Sequence, residues 1–388
     1  MKNAITVFTL LLTVGLTAQT IRIVDNNPNA PTGANIFGTI QEAIDAASAG
    51  DTIYIQPSAI QYGIGTARIE LHFRGIGFNL DKDIPYISEV NRINLYGAAD
   101  GSTNPSNSTI TGLEIAQIRL GKEFSGDQDY TLAGVRIFNN RITTSVTWNT
   151  GNSITTIDDL TVAFNYVASI SFNYPLTNCQ IRNNVIDGSV SFASSSASIA
   201  AIVANNIING SITKSSTNDF LVIQNNNFIG NGSSSASFSS MQNATINNNI
   251  FYGSTPSTTG AGNSTSASFQ LNQFNNNITF STGNNDLPPA GGGVGNTGSG
   301  NLVDLNPQFT EVTLSTTWQS TDDYTTAAPE VTNAGTDGTD IGIFGGPFPF
   351  APNLELVTSS IPTIQTLNTS TLINPGQDLE VEVSAKAN

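Results

Sequence analysis

The densest group of residues that could do chemistry lies between positions 119 and 141. It combines cations and carboxylates: Arg119, Lys122, Glu123, Asp127, Asp129, Arg136 and Arg141. A polysaccharide lyase needs a cation to neutralise a uronate carboxylate and a base to remove the neighbouring proton, and the acids could also bind calcium. The alternative is a solvated loop whose ion pairs contribute little to stability. The cluster therefore predicts either a groove for an acidic glycan or a charged surface loop.

Five other residues, at three places in the chain, carry groups that could act on a substrate or bind a cation. His72, the only histidine, is expected to be a surface or rung residue. Asp158 and Asp159 are adjacent, so in a strand they face opposite ways, whereas a glycoside hydrolase needs two carboxylates at a set separation. Asp337 and Asp340 fall in a Gly-rich turn without the further carboxylates of a calcium site. We therefore assign no catalytic residue, no metal ligand and no resident cofactor from the sequence.

A six-residue pattern recurs through the middle of the chain and supplies a frame for these residues. It reads apolar, any, Asn, Asn, any, apolar, as in IRNNVI at 181–186, and recurs at intervals of 19 to 28 residues. A coil of about 20 residues with short strands and turns forms one rung of a parallel β-helix, whose rungs stack about 4.8 Å apart. Leucine-rich repeats need recurring leucines, and propeller blades need about 40 residues. The pattern predicts an all-β, single-stranded parallel β-helix, which is a solenoid.

The second asparagine of each copy is predicted to lie at a bend between two strands. Asparagine tolerates the left-handed backbone conformation, and its amide can donate to and accept from an asparagine one rung away. A broken rung would leave a buried polar group unpaired, at a cost of about 1–3 kcal/mol. The coils of about residues 135–280 are therefore predicted to share a buried structural ladder formed by Asn140, Asn165, Asn184, Asn206, Asn226, Asn249 and Asn277. The role of the asparagine before each of them is left open.

Hydroxyl side chains recur after the asparagine pairs. Strand alternation turns the apolar residues of these segments inward and the flanking hydroxyls outward. The predicted outward pairs are Ser145 with Thr147, Ser169 with Ser171, Ser189 with Ser191, and Ser211 with Thr213. Such a grid could order water or lie against an extended glycan, although solvated strand faces also often carry serine and threonine.

The segment before the first strands is predicted to cap the open apolar end of the stack. Thr39 and Glu42 have the spacing of a capping box, apolar residues follow with helical periodicity, and Gly50 ends a helix of about residues 39–49. The passage from this helix into GDTIYI at 50–55 resembles the opening segment of the pectate-lyase-like right-handed β-helix superfamily. It departs from that family after the strand, where QPSAIQY stands at 56–62.

The C-terminal third also resembles secreted bacterial β-helix proteins. NLVDLNPQF at 301–309 and TNAGTDGTDIGIFGG at 332–346 are similar to their closing segment, although the usual Ser-Pro-Ala before it is Ala-Pro-Glu at 328–330. The resemblance covers about residues 36–346 in pattern, its overall style is similar to exported Bacteroidetes proteins, and it implies a right-handed β-helix. The β-helix domain is predicted over residues 19–353, with a closing segment over about 300–346. Residues 354–388 are predicted to form a small β appendage or lateral cap. The superfamily contains lyases, polygalacturonases and noncatalytic adhesin-like proteins, so this fold implies no single activity.

The N-terminal residues and the composition limit the cellular location and the binding partners of the protein. Residues 1–18 have the pattern of a signal peptide, with Lys2 before an apolar run and a small-residue cleavage point after Ala18. The run is too short to span a membrane. The protein is therefore predicted to be secreted or at the cell surface, with the periplasm as the other destination. A net charge of −16 argues against nucleic acid or anionic membrane as a partner. The single Cys179 excludes an intrachain disulfide.

The predicted function follows from many polar rungs that contain few charges. Residues 184–280 include only Asp187, Lys214 and Asp219 as charged side chains, too few for a lyase or hydrolase site. The sequence therefore favours a noncatalytic exported protein that binds polysaccharide or another cell-surface polymer, or serves as an adhesin-like structural component. The alternative is a lyase or hydrolase that acts on an acidic glycan through the region from Arg119 to Arg141, and of the two a lyase fits better.

Overall fold

A computed structural model describes residues 19–77, 86–148, 154–192, 199–214, 220–232, 234–262 and 266–350, together with the backbone of two further strands. The predicted signal peptide, residues 1–18, lies outside the described residues. Within the predicted appendage, the described strands Thr363–Thr369 and Val381–Lys386 pair antiparallel.

Two large sheets, whose neighbouring strands all run parallel, contain most of the described strands. The first sheet has 15 strands. In order along the stack they are Ile36–Phe37, Ile21–Val24, Thr52–Ile55, His72–Arg74, Thr109–Thr111, Arg136–Phe138, Thr161–Ala163, Leu176–Arg182, Ile199–Ala204, Phe220–Gln224, Ala244–Asn247, Gln273–Asn275 and Thr297–Ser299, with Thr131–Ala133 and Thr156–Asp158 as a side branch.

The second sheet also has 15 strands and divides at Arg141–Trp148 into two ladders. Before the division it contains Tyr62–Ala67, Glu89–Tyr96 and Glu114–Gly121. One ladder continues through Tyr166–Val167, Val185–Ile186, Ile207–Ile208, Asn227–Ile229, Ile250–Tyr252 and Ile278–Phe280. The other continues through Ile170–Phe172, Val190–Phe192, Ile212–Lys214, Phe238–Gln242 and Phe269–Gln270. A separate antiparallel pair joins Phe309–Glu311 to Asp323–Thr326.

Strand alternation explains how the sheets enclose one core. Inward positions of successive rungs in the first sheet stack in register and have no exposed surface: Ile137, Val162, Ile181, Val203, Ile223, Ile246 and Phe274. Their neighbours in sequence turn outward because successive Cβ atoms leave opposite faces of a strand. The inward residues of both sheets belong to one apolar cluster. These curled parallel sheets around a common core are consistent with a parallel β-helix.

A short helix, Ile40–Asp45, packs at the N-terminal end of this core. Its capping box is complete, because Thr39 Oγ1 accepts from Glu42 N at 3.2 Å and Glu42 Oε2 accepts from Thr39 N at 3.1 Å. The helix is shorter than the predicted 39–49, since the chain turns after Ala46 toward the strand that begins at Thr52. Gly65 lies beneath it, where a Cβ atom would come within 2.5 Å of Ile40 Cγ2.

Candidate functional site

A continuous run of asparagine amides connects the middle rungs. From Asn140 to Asn277, each Nδ2 donates to Oδ1 of the asparagine one rung on, at 2.9–3.2 Å, and the run ends on Asn301. Each backbone N–H donates to the same oxygen. The seven asparagines that the sequence pattern aligns are buried without exposed surface. Their donors and acceptors are directed at one another, which makes them structural groups.

A second run of side-chain amides, formed by only two asparagines, lies near the C-terminal end of the stack. Asn272 Nδ2 donates to Asn296 Oδ1 at 2.9 Å, and Asn272 Oδ1 accepts from Ala244 N at 3.1 Å. These residues lie outside the recurrent Asn-Asn pattern, so sequence reasoning missed them.

The asparagine that precedes each ladder residue has a different role. Asn183, Asn205, Asn225, Asn248 and Asn276 adopt left-handed backbone conformations, with φ between 49° and 57°. It is this residue, and not the ladder asparagine as expected, that takes the left-handed bend. Its side chain is then free to face the outside of the stack. There the five amides meet residues 331–350, which we call the lateral strap.

The lateral strap runs back along the stack, because its chain order is the reverse of the rung order. The strap acceptors, from its first to its last contact, are Ala334 O for Asn276, Thr336 Oγ1 for Asn248, Asp340 O for Asn225, Ile343 O and Gly345 O for Asn205, and Phe348 O for Asn183. Gly342 allows close approach at φ +87°, since a Cβ atom there would lie 2.6 Å from Asn227 Oδ1. The predicted closing segment therefore lies alongside the rungs.

An apolar strip on the outer face of the second sheet lies beneath the C-terminal segments. It comprises Val185, Ile207, Ile250 and Ile278, each at most 1% exposed. Their covering residues include Tyr324, Val331, Ile341, Ile343 and Phe350. In earlier rungs the same column is occupied by Glu89, Glu114, Arg141 and Tyr166. The column changes from polar to mainly apolar where the chain covers it, with the buried Asn227 between Ile207 and Ile250. This face is therefore occupied by the protein itself.

Asp187 fastens the segment before the lateral strap to the stack. Its Oδ1 accepts from Trp318 N at 2.9 Å, and its Oδ2 accepts from the Tyr166 hydroxyl. Burial, followed by the hydrogen bond to Asp187, raises the pKa of the Tyr166 hydroxyl. Both carboxylate oxygens therefore have structural partners.

The loop part of the charged cluster forms local pairs. Lys122, 5% exposed, donates to Asp129 Oδ1 at 2.6 Å and to the Asp127 carbonyl at 2.8 Å. Glu123 pairs with Arg68, which lies outside the predicted set. The two Lys122 contacts close the turn of residues 122–129 on itself, and the Glu123 pair joins the turn to Arg68.

The three arginines of the cluster lie on two sheets. Arg136 is on the first sheet, with Nη2 2.6 Å from Asp159 Oδ2. Arg141 follows the ladder bend on the second sheet, with Nη1 3.0 Å from Glu114 Oε2. Arg119 is five residues beyond Glu114 on the same strand, about 17 Å along it. The seven residues of the charged cluster are therefore divided among several separate local contacts.

The remaining chemical candidates also have local partners. His72 Nδ1 lies 3.1 Å from Thr109 Oγ1. Asp158 Oδ1 accepts from Asn178 Nδ2 at 3.1 Å, Asp337 Oδ1 accepts from its own turn, and Asp340 Oδ1 accepts from Asn333 N at 2.9 Å. Across the described ranges, no group of three or more His, Cys, Asp or Glu side chains could hold a metal ion.

Four hydroxyl residues stack on the outer face of the strands that run from Ile170–Phe172 to Phe238–Gln242 in the second sheet. We call them the hydroxyl column: Ser171, Ser191, Thr213 and Ser240. The first three pair in direct register, and a register shift precedes Ser240. All four are half-buried. Ser145 differs from the prediction, because it is only 8% exposed and accepts from Gln117 Nε2 at 3.1 Å.

No family model matches the chain, and no curated protein matches it. In the part of the chain that the structure describes, no helix is both long enough and apolar enough to cross a membrane.

Proposed function

We propose that the protein is an exported, noncatalytic right-handed parallel β-helix that binds polysaccharide at the cell surface or outside the cell. The hydroxyl column is the observation that carries this proposal. The signal-like residues 1–18 support export. The resemblance of the helix-to-strand passage at residues 39–55 to the pectate-lyase-like superfamily supports that lineage, and the preference of parallel crossover connections for one hand supports right-handedness.

The hydroxyl column suits an extended, hydroxylated polymer. Each hydroxyl can donate and accept, and the three in direct register repeat at about 4.8 Å along the stack. The aromatic residues that follow Ser171 and Ser191, Phe172 and Phe192, are buried, which leaves the hydroxyls on the outer face. A polymer along this column would gain several modest hydrogen bonds in register.

Two charged groups of the middle rungs support the absence of catalysis. Both oxygens of Asp187 already accept hydrogen bonds from the protein. A general base must be within hydrogen-bond reach of a substrate proton, so the structural role of this carboxylate argues against that function. Lys214 has no exposed surface, and its Nζ donates to the Gln242 carbonyl at 2.7 Å.

A panel of polysaccharides tests the proposal. Purified protein is incubated with pectin, alginate, glycosaminoglycans and neutral glycans, while sedimentation of the complex, unsaturated-product absorbance and reducing ends are followed. We expect binding without turnover, and we expect Ser191→Lys with Thr213→Lys to weaken it. Thr131→Lys, at an exposed position of the first sheet, is the matched control. Turnover that is abolished by Arg119→Ala would overturn the proposal in favour of a lyase.

A further inference from the structure

A shallow groove crosses three neighbouring strands on the outer face of the first sheet, away from the hydroxyl column. Its volume is about 260 Å³, and its outward-facing residues are Asn178, Gln180, Ala200, Ile202, Phe220 and Val222. The strands are Leu176–Arg182, Ile199–Ala204 and Phe220–Gln224. Register places Gln180, Ile202 and Val222 in one column and Ala200 beside Phe220.

Phe220 stands at the side of this groove with 82% of its surface exposed. Its neighbours Leu221 and Ile223 are buried in the core, so the strand is anchored without it. The outward column is polar in the rungs before and after, at Thr161, Gln180, Thr245 and Gln273, and apolar only at Ile202 and Val222. An aromatic ring thus stands beside a short apolar floor inside a polar column.

We propose that this groove binds the rings of a neutral polysaccharide. The inference rests on the proposed polysaccharide binding, and it adds a second contact surface and a class of sugar. A pyranose ring has an apolar face of C–H groups and a rim of hydroxyls. The C–H face matches the electron-rich face of Phe220 and the floor of Ile202 and Val222. The rim matches the amides of Asn178 and Gln180.

The charges in and around the groove favour a neutral polysaccharide over an acidic one. None of the six outward residues is ionisable, so the groove supplies no cation for a uronate or sulfate. Arg182, two residues beyond Gln180 on the same strand, has its guanidinium over the rings of Phe164 and Phe348. At the rim of the groove, the Asp158 carboxylate accepts from Asn178 Nδ2. The chain as a whole carries a net charge of −16. The Asp158 carboxylate and the net negative charge repel a polyanion and leave an uncharged polysaccharide unaffected.

The length of the groove agrees with a short stretch of polymer. From Gln180 through Ile202 to Val222 it crosses two rung spacings, which is about 10 Å and comparable to a disaccharide. A chain parallel to the stack axis would place one ring against Phe220 and the next beside the amides.

Binding of soluble β-1,4-glucan, β-1,3-glucan and polygalacturonate to the full-length protein tests the inference by titration calorimetry. We expect at least one neutral glucan to bind and polygalacturonate to bind more weakly. Phe220→Ala should weaken neutral binding about tenfold, whereas Phe220→Trp should retain it. The thermal midpoint should not change, because Phe220 is exposed. Phe124→Ala, at another exposed phenylalanine, is the matched control and should bind as the wild type does.

The outcomes separate this inference from the proposed function. If the lysine pair in the hydroxyl column abolishes glycan binding and Phe220→Ala has no effect, the groove is not a site and the proposed function stands. If no glycan binds at all, both fail. If sedimentation shows that wild-type protein self-associates and Phe220→Ala does not, the groove holds a second copy of the chain and the inference is overturned.

Discussion

The side-chain amides of the adjacent residues Asn205 and Asn206 bind in opposite directions across the wall of the stack. Asn206 Nδ2 donates along the ladder to Asn226 Oδ1 at 2.9 Å. Asn205 Nδ2 donates to the carbonyls of Ile343 and Gly345 on the lateral strap, at 3.0 and 2.7 Å. The left-handed φ of 54° at Asn205 separates the two directions. One dipeptide therefore joins neighbouring rungs and fastens the strap.

We expect Asn206→Leu to destabilise the protein more than Asn206→Ser. Asn206 Oδ1 accepts from the backbone N–H of Asn184, so leucine leaves that buried donor unpaired. Leucine also removes the Nδ2 that donates to Ile181 O and Asn226 Oδ1, and the total cost should be about 3 kcal/mol or more. Serine retains an acceptor. Urea unfolding measures the difference. The same change at Asn301, half-buried at the end of the ladder, should cost less. Equal midpoints for the two Asn206 variants would contradict the ladder's contribution.

Asn205 variants should separate the backbone role from the strap contact. Asn205→Ala loses two hydrogen bonds and must adopt an unfavourable φ, a combined cost of about 2–4 kcal/mol, whereas Asn205→Gly loses only the hydrogen bonds. Hydrogen exchange of residues 331–350 should accelerate in both variants. Asn139→Gly is the control, because Asn139 has a similar φ of 57° and lies two rungs before Asn183, which is the most N-terminal asparagine that contacts the strap. Unchanged exchange in Asn205→Gly would show that the strap is held by other contacts.

Acid should weaken the N-terminal part through Asp51. Burial alone would raise the pKa of Asp51, but hydrogen bonds from Ser48 N, Thr20 N and Arg22 outweigh it and hold the pKa below its ordinary value. A lowered folded-state pKa stabilises the protein above about pH 3.8 and loses that contribution as the pH falls through the folded-state value. Urea midpoints from pH 5 to 2 should therefore fall more steeply in the wild type than in Asp51→Asn.

The control for Asp51 is the exposed Asp286, where Asp286→Asn should leave the acid slope as it is in the wild type. At neutral pH, Asp51→Asn should cost about 2 kcal/mol, because charge-assisted hydrogen bonds are lost. Parallel slopes for the wild type and Asp51→Asn would exclude Asp51 as the titrating group.

Cys179 should report unfolding and contribute to alkaline sensitivity. Burial raises the pKa of its thiol from 9.0 to about 12, and the residue is 1% exposed. A raised folded-state pKa stabilises the protein below pH 9 and loses that contribution as the pH rises toward 12. Between pH 8 and 9.5 the titration of Cys179 in the unfolded state should lower the unfolding free energy by roughly 1 kcal/mol, and Cys179→Ala should reduce the slope accordingly. A thiol reagent that labels the native protein rapidly at pH 8 would contradict the burial.

The charged cluster shows where proximity in sequence misleads. Arg136 and Arg141 are only five residues apart, but the ladder bend lies between them and places them on different sheets. Arg119 and Arg141 lie on neighbouring strands, yet register pairs Arg141 with Glu114 and Arg119 with Thr147. Local spacing cannot predict such pairings, because they depend on where each coil returns to the stack.

The lateral strap had a signal in the sequence that periodicity alone did not reveal. Val185-Ile186, Ile207-Ile208 and Ile250-Phe251 are consecutive apolar pairs in strands where one residue must face outward. Ile186 and Ile208 turn into the main core, whereas Val185 and Ile207 face outward and are buried in the cluster that includes Ile343. Such pairs indicate a face that something covers, but they do not indicate what covers it.

The amino-acid sequence by itself determined the repeat, the positions of the ladder asparagines and the capping box at Thr39, because each depends on short-range spacing and on the properties of one residue type. Only the tertiary structure decided that Asn205 faces the strap, that Asp187 holds Trp318 and that Phe220 remains exposed beside a groove. Those outcomes join residues up to 140 positions apart in the chain. They depend on the register between coils and on the path of the segment after the last rung, which side-chain preferences do not specify.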